Sequence, residues 1–296
     1  MTMLDFATWT IRAFYTFSSI TIIVVRFTPA LRDRFLPYGA RDVTAHRAGQ
    51  FAKQPAWSVQ VLDYAATWKV PHSWFIHFYI VSVTASTMGL CFFYPSNSID
   101  RPDTTTICGT LMLVQGIRRL LECFFLTKPS QSRMWIGHYA IGVAFYIATN
   151  IAIWTARPDE RELDFNRVSG RKVLAGGLWT FNVLAYVFLF FYASWMQNLF
   201  HRHLAGLRKY TLPDIGMFRT IIAPHYTAEC AIYLSLAFCR DAHQGGLVDL
   251  TLFCALIFVV VNLGVTADGT REWMLAKFPE KNSEIERRWT MLPPVW

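Results

Sequence analysis

Residues Tyr210–Glu229 read YTLPDIGMFRTIIAPHYTAE. The stretch opens as a polar loop, turns at Pro213 and Gly216, and becomes an apolar segment carrying Pro224, His225, Tyr226 and Glu229. Residues i and i+4 share one face of a helix. His225 and Glu229 therefore form one polar patch where an apolar helix begins. In a bilayer that placement is costly unless the pair meets a ligand, a partner or water. The stretch carries two expectations at once, a membrane helix and a functional site at its mouth.

Composition extends the first expectation to the whole chain. Of 296 residues, 53% are hydrophobic, 16% aromatic and only 16% charged. Soluble domains carry about a quarter charged residues, so this balance points to a membrane protein. The net charge of +8 does not indicate nucleic acid, because the basic residues sit in short links between apolar runs, where they set topology and face anionic headgroups or an anionic cofactor. The cysteines (Cys91, Cys108, Cys123, Cys230, Cys239, Cys254) lie in or beside apolar runs without a CxxC pair, so buried free thiols are expected, with no metal site and no disulfide framework. The first apolar run starts almost at Met1 without a basic leader or a small-residue cleavage site, and reads as a retained span.

About twenty apolar residues cross a bilayer as a helix. Seven segments answer that description: 6–27, 73–94, 106–126, 134–155, 173–199, 217–239 and 247–267. The expected fold class is an all-α integral membrane protein, a bundle of about seven transmembrane helices with a pocket open to the cytosol. It forms a single membrane-embedded domain over 1–296, with a C-terminal region at roughly 110–296. With seven spans, sixteen Lys and Arg fall on the side of links 28–72, 127–133, 200–216 and the tail, against seven on the other side. The positive-inside rule then puts the C-terminus in the cytosol. Residues after 268 read as a polar tail ending in the apolar MLPPVW.

Four constellations carry chemistry. Gln115, Arg118 and Glu122 are spaced i, i+3, i+7 on one stripe of the third span, with Arg119 offset toward the next face. That stripe is either a snorkelling helix end or an anion or carbonyl site inside the bundle. The run Val70-Pro71-His72-Ser-Trp-Phe-Ile-His77-Phe78-Tyr79 opens a span, where His and aromatic residues commonly form an interfacial belt. Gln197-Asn198-x-x-His201-Arg202-His203, followed by Arg208, Lys209 and Tyr210, suits phosphate or carboxamide contacts. Pro37-Tyr38-Gly39-Ala40-Arg41 reads as a turn. No GxGxxG, P-loop or GxSxG occurs, so a nucleotide would bind without a Rossmann fold.

Set in order, these motifs resemble the steroid 5-alpha-reductase family, and within it the branch that reduces polyprenal or polyprenol. The resemblance rests on Tyr38-Gly39, VPxxxFxHFY at 70–79, QxxRRxxE at 115–122, and Ser132-x-Met134 with Tyr139, Gly142, Phe145 and Tyr146. It continues through Gln197-x3-His201-x6-Arg208, Pro213-x-x-Gly216-x-Phe218, PHYxxE at 224–229, Asn262-Leu263, Trp273, Lys277-Phe278-Pro279 and Leu292-Pro293. It implies a seven-helix, multi-pass NADPH enzyme of the endoplasmic reticulum membrane that reduces a carbon–carbon double bond conjugated to a carbonyl. In this branch that bond is in the α-isoprene unit of a long-chain polyprenyl lipid, on the route to dolichol for protein glycosylation. By motif, Tyr38, Arg118, Gln197, His201, Arg208, Tyr210, His225, Glu229 and Asn262 would hold NADPH. Lys69 and Gln115 stand where the steroid branch has a carbonyl-polarising Glu and Tyr, and Thr266 and Met274 where it has Arg and Tyr. These departures speak against a steroid substrate.

The chemistry requires hydride delivery to the β-carbon of an enal and donors aimed at the oxygen, where charge builds. Gln115, His77, Tyr79 and Lys69 are the candidate catalytic side chains. An isolated allylic alcohol is a poor hydride acceptor, which favours the aldehyde as substrate. Reduction of an enone steroid or a trans-2-enoyl-CoA is the alternative within the family. Outside it stands a membrane scaffold whose polar stripes only join helices.

Overall fold

We describe the fold from a computed structural model of residues 3–36, 57–93, 103–128, 131–155, 172–208, 210–241 and 248–295. The first helix, α1 (Met3–Phe27), contains neither proline nor glycine and ends where Thr28 precedes Pro29. A residue before proline is pushed out of the helical region, and Thr28 is extended at φ −99°, ψ 103°. Pro29 then opens the short α2 (Pro29–Phe35). Beyond them follow α3 (Trp57–Ala66), α4 (Ile76–Phe93), α5 (Thr104–Phe125), α6 (Ile136–Thr155), α7 (Lys172–Gly206), α8 (Pro224–Asp241), α9 (Leu250–Lys277) and the short α10 (Asn282–Glu286). Asp103 caps α5 through the Thr106 amide at 2.7 Å, and Asp249 caps α9 through the amides of Thr251 and Leu252.

The fold is nearly all helical. A two-stranded antiparallel ribbon is the exception, β1 (Lys69–Pro71) against β2 (Arg133–Trp135), with Val70 opposite Met134. His72 and Ile136 continue the pairing through the carbonyls of Ser132 and Trp68. The ribbon joins the start of α4 to the start of α6, and these two helices pack side by side. The long helices alternate in direction. At one end of the bundle the start of α5 meets the end of α8 through Thr104 and the Arg240 carbonyl at 3.0 Å, while Arg240 reaches Ile153 near the end of α6.

Among the described residues, five helices are long and apolar enough to cross a membrane: Met3–Phe27, His72–Phe93, Ile136–Thr155, Phe181–Gly206 and Leu250–Lys277. The protein is thus multi-pass, with five of the seven expected spans meeting this measure among the described residues. The expected spans at 106–126 and 217–239 are present as α5 and α8. They fall short because Arg118, Arg119 and Glu122 interrupt one, while His225, Glu229 and Arg240 interrupt the other. Lipid-facing surface is visible in Phe6, Trp9 and Phe17 of α1 and Phe181 and Phe188 of α7, all more than 60% exposed. Water would penalise such a surface, whereas acyl chains solvate it.

Two boundaries differ from the reading of the sequence, for tertiary reasons. Helix α8 starts at Pro224 rather than near 217, because a 3-10 turn at Gly216–Arg219 is followed by a segment that pairs with the chain's C-terminal segment at Ile221 and Trp289. Ile222 and Ala223 donate to the carbonyls of Trp289 and Thr290, and Trp289 donates back to Thr220. The expected polar tail is therefore folded, with Arg288 buried and bonded to the Pro213 carbonyl at 2.7 Å, and Ile285 and Met291 fully covered. Helix α7 continues past 199 to Gly206, which brings His201 and His203 inside it.

Inside the bundle, Phe145 stacks on Phe258 and meets Tyr15 and Tyr233 edge-on. Two polar pairs join helices in this layer: Tyr15 with Thr149 at 2.9 Å, and Ser86 donating to Asn150 at 2.7 Å. Toward the far end the Trp154 ring fills the space left by Gly89 and Gly109. A Cβ at Gly109 would stand 2.5 Å from Trp154 Cζ2. The substitution Gly109→Ala is expected to cost about 1–3 kcal/mol by overpacking, read as a lowered unfolding temperature in detergent. Adding Trp154→Phe should recover part of the loss.

Candidate active site

Glu122 is the hub of the site. It is 6% exposed inside the bundle and accepts from Arg118 and Arg119 of its own helix, and from Asn198 of α7 at 2.6 Å, while His201 Nδ1 lies 2.7 Å from its other oxygen. The same His201 nitrogen is 2.7 Å from Arg119 Nη1. It either donates to the carboxylate or accepts from the guanidinium, according to its tautomer.

The network runs along α5 and α7 in parallel register. Gln115, Arg118 and Glu122 meet Ser194, Gln197 and His201, each partner 79 residues further along the chain. Both triplets have the spacing i, i+3, i+7, so two polar stripes face each other over two helical turns. Gln197 then hands the network to α8 by donating to Glu229. Two guanidiniums and two carboxylates balance in charge, which lets this cluster sit among apolar helices. On the α4 side, Arg119 donates through Nη2 and Nε to the Tyr79 hydroxyl at 2.7 and 3.1 Å, with its guanidinium 4.8 Å from the Tyr79 ring centre.

Against this cluster lies a cavity of about 220 Å³. Its polar wall is Tyr79, Arg119, Gln197, His201, Glu229 and Asn262, and its apolar wall includes Phe75, Phe78, Phe145, Val259 and Leu263. The ribbon closes one side through Met134 and the adjoining His72. Every long helix except α5 and α7 contributes an apolar or aromatic side chain to it.

The expected residues divide into groups. Tyr79, Gln197, His201, Glu229 and Asn262 line the cavity. Gln115 and Arg118 lie one layer behind. Gln115 is 2% exposed, donating to Gln197 and accepting from Arg118 and Ser194. Arg118 is committed to Glu122, Gln115 and Gln197, leaving only Nε without a partner, so in this arrangement it is not poised as a phosphate clamp.

His225 and Glu229, read from the sequence as one patch, are not hydrogen-bonded to each other. Glu229 is taken by Gln197, while His225 packs against Tyr226 and His201 with its Nδ1 buried and unpartnered. His77 pairs with Tyr139 at 3.1 Å outside the cavity, and Lys69 sits in β1, also outside it. Arg208 and Tyr210 are exposed near the end of α7, where Tyr210 adopts φ 64° and stacks under Lys277 at 4.2 Å. Tyr38 lies outside the described residues. No group of three potential metal ligands occurs among the described residues.

Sequence reasoning passed over Arg119, which lines the cavity while Arg118 does not, and Tyr233, which lies one turn beyond Glu229. The continuation of the His225, Glu229 spacing to position 233 was the available signal for the tyrosine. His138 and Tyr226 also line the cavity. His138 had no sequence neighbour to mark it.

Comparison with known proteins agrees with the motifs. Residues 169–296 match the family described as 3-oxo-5-alpha-steroid 4-dehydrogenase. That similarity is confined to the C-terminal part of the chain. It spans α7 to α10, so Gln197, His201 and Glu229 fall inside it, whereas Tyr79, Arg119 and Glu122 come from the upstream helices. A polyprenal reductase of Saccharomyces cerevisiae is 28% identical over 227 residues, 75% of this chain and 74% of the relative. A polyprenal reductase of Xenopus tropicalis is 28% identical over 190 residues, 61% of this chain and 58% of the relative. An uncharacterized protein of Schizosaccharomyces pombe is 24% identical over 298 residues, covering 96% and 94%. Similarity to the reductases therefore extends beyond the family domain into the helices that complete the cluster.

Removing the hub tests its electrostatic role. Glu122→Gln leaves two buried guanidiniums short of a counter-charge, and breaking a buried ion pair costs about 3–5 kcal/mol. Thermal unfolding in detergent is expected to show a loss of that size, larger than that of Glu284→Gln, whose carboxylate is half exposed.

Proposed function

We propose that this chain is an NADPH-dependent reductase of the α-isoprene double bond of polyprenal. It would act in the endoplasmic reticulum membrane on the route to dolichol, with seven spans, a cytosolic C-terminus and one reductase domain over 1–296. The observation that carries the reading is the cavity, where apolar and aromatic rings meet one polar wall of Tyr79, Arg119, Gln197 and Glu229. A prenyl chain with a single carbonyl needs that division of surface. The family domain and the polyprenal reductase relatives support the reaction class.

The residues present fit a nicotinamide. Beside the cavity the buried Nδ1 of His225 has no partner, and the Tyr233 hydroxyl, on the cavity wall, is buried without one. Asn262 adds an amide to the wall. A volume of about 220 Å³ is below the roughly 300–1,000 Å³ that encloses a drug-sized ligand, so it would admit only the reacting ends. The remainder of a dinucleotide would extend beyond it, and the exposed Arg208 and Tyr210 are the expected residues to meet it. NADPH, when bound, supplies the hydride. The chain's own work is to hold the enal beside it, exclude water and stabilise the oxygen as charge develops.

The test is NADPH consumption by purified protein with polyprenal, polyprenol, an enone steroid or a trans-2-enoyl-CoA. Polyprenal is expected to drive the oxidation and yield the saturated aldehyde. Glu229→Gln and Arg118→Ala should lower kcat/KM by about 10²-fold, the scale of a lost positioning contact. Full activity in either variant removes the site assignment, and oxidation driven by steroid or thioester alone removes the substrate.

A further inference from the structure

Tyr79 is the cavity residue whose hydrogen-bonding state leaves it one possible act. It is 4% exposed, lines the cavity, and its oxygen receives Arg119 Nη2 at 2.7 Å and Arg119 Nε at 3.1 Å. A phenol oxygen has two acceptor sites and one O–H. Arg119 fills both acceptor sites, and no described residue accepts the hydrogen. The buried O–H is therefore an unspent donor on the wall of a cavity otherwise flanked there by Phe75, Phe78 and Tyr146.

The other named candidates are displaced from the cavity. Gln115 lies behind the wall, engaged with Gln197, Arg118 and Ser194, His77 pairs with Tyr139, and Lys69 lies outside the cavity. Arg119 cannot swing away, because its Nη1 is held by Glu122 at its other edge. Donation from a cation to an oxygen strengthens the acidity of that oxygen's own hydrogen, and a dry site magnifies the effect. The relay Glu122–Arg119–Tyr79 polarises one O–H toward the cavity.

We propose that Tyr79 is the catalytic donor to the substrate carbonyl oxygen and that Arg119, braced by Glu122, is its positioning residue. This rests on the reading of the chain as an enal reductase. A reduced nicotinamide, when bound, would supply the hydride to the β-carbon; the C=C electron pair would shift and the negative charge arriving at the carbonyl oxygen would be held by the Tyr79 O–H. The α-carbon then takes one proton from solvent, and the carbonyl re-forms. Overall, one enal, one reduced cofactor and one proton give the saturated aldehyde and the oxidised cofactor.

The experiment uses full-length protein in lipid nanodiscs with farnesal as probe. Without cofactor, the infrared carbonyl stretch of bound farnesal is expected below its value in lipid alone. Tyr79→Phe should return the band to the lipid value. With NADPH present, the same variant should lower single-turnover rate by roughly 10²–10³-fold, the cost of losing one oxyanion donor, while its affinity for NADPH stays within twofold of wild type. Arg119→Lys keeps the charge but not the two-pronged contact, and should fall between the two in both band position and rate. A Tyr79→Phe rate within threefold of wild type, a band that does not move, or a band moved by Tyr233→Phe instead would overturn the assignment. Wild-type protein that turns over farnesal without a lowered carbonyl band would overturn it too, leaving the reductase reading intact. Wild-type protein that never oxidises NADPH with any prenyl aldehyde would overturn that reading and this one together.

Discussion

Two arginines one residue apart are held inside a helical bundle by a single carboxylate, and much of the site's architecture follows from that constraint. Charges at bilayer depth are tolerated only when paired and hydrogen-bonded. Glu122 meets the demand by accepting from Arg118 and Arg119 together, with Asn198 and His201 arriving from α7. Arg118 must then spend its remaining donors on Gln115 and Gln197, which draws Gln197 to Glu229 and ties α8 into the same network. Arg119 turns its other edge to Tyr79 and so fixes α4. One buried charge thereby sets the mutual placement of four helices around the cavity.

The cost of this arrangement appears in the helices that bear it. Among the described helices, α5 and α8 carry the charges Arg118, Arg119, Glu122 and Glu229 and are the two long ones that do not qualify as apolar spans, whereas α7, which bears the facing polar stripe, does. The lipid-facing work falls to α1 and α7, whose exposed phenylalanines contrast with the polar seam within. The ribbon Lys69–Pro71 with Arg133–Trp135 and the folded tail at 287–295 then brace the same end of the bundle, where α8 begins and Met134 and His72 close one side of the cavity.

The helices were legible because apolar length is a local property, read correctly over 6–27, 73–94, 134–155 and the later runs. The polar stripes were legible for the same reason, since i, i+3, i+7 spacing survives in any helix. Their pairing was not. Nothing local says that Gln115, Arg118 and Glu122 meet Ser194, Gln197 and His201 in register, or that Arg119 rather than Arg118 reaches the cavity. Likewise, the i+4 spacing of His225 and Glu229 placed them on one face but could not foresee that Gln197 would claim the carboxylate. The start of α8 at Pro224 was hidden because it depends on strand-like pairing with residues 289 and 290.

The sequence by itself determined that this chain is a multi-pass helical protein with polar residues gathered at one end of its helices, and its motifs carried the family resemblance. Hydrophobic length and helical period suffice for that, because both are written in neighbouring residues. Only the tertiary structure decided which polar groups are spent on one another and which are left facing the cavity. Each donor and acceptor has a limited number of bonds to make, and which ones remain depends on helices brought together from distant parts of the chain. Gln115 is consumed in that accounting, and the hydroxyl of Tyr79 is not.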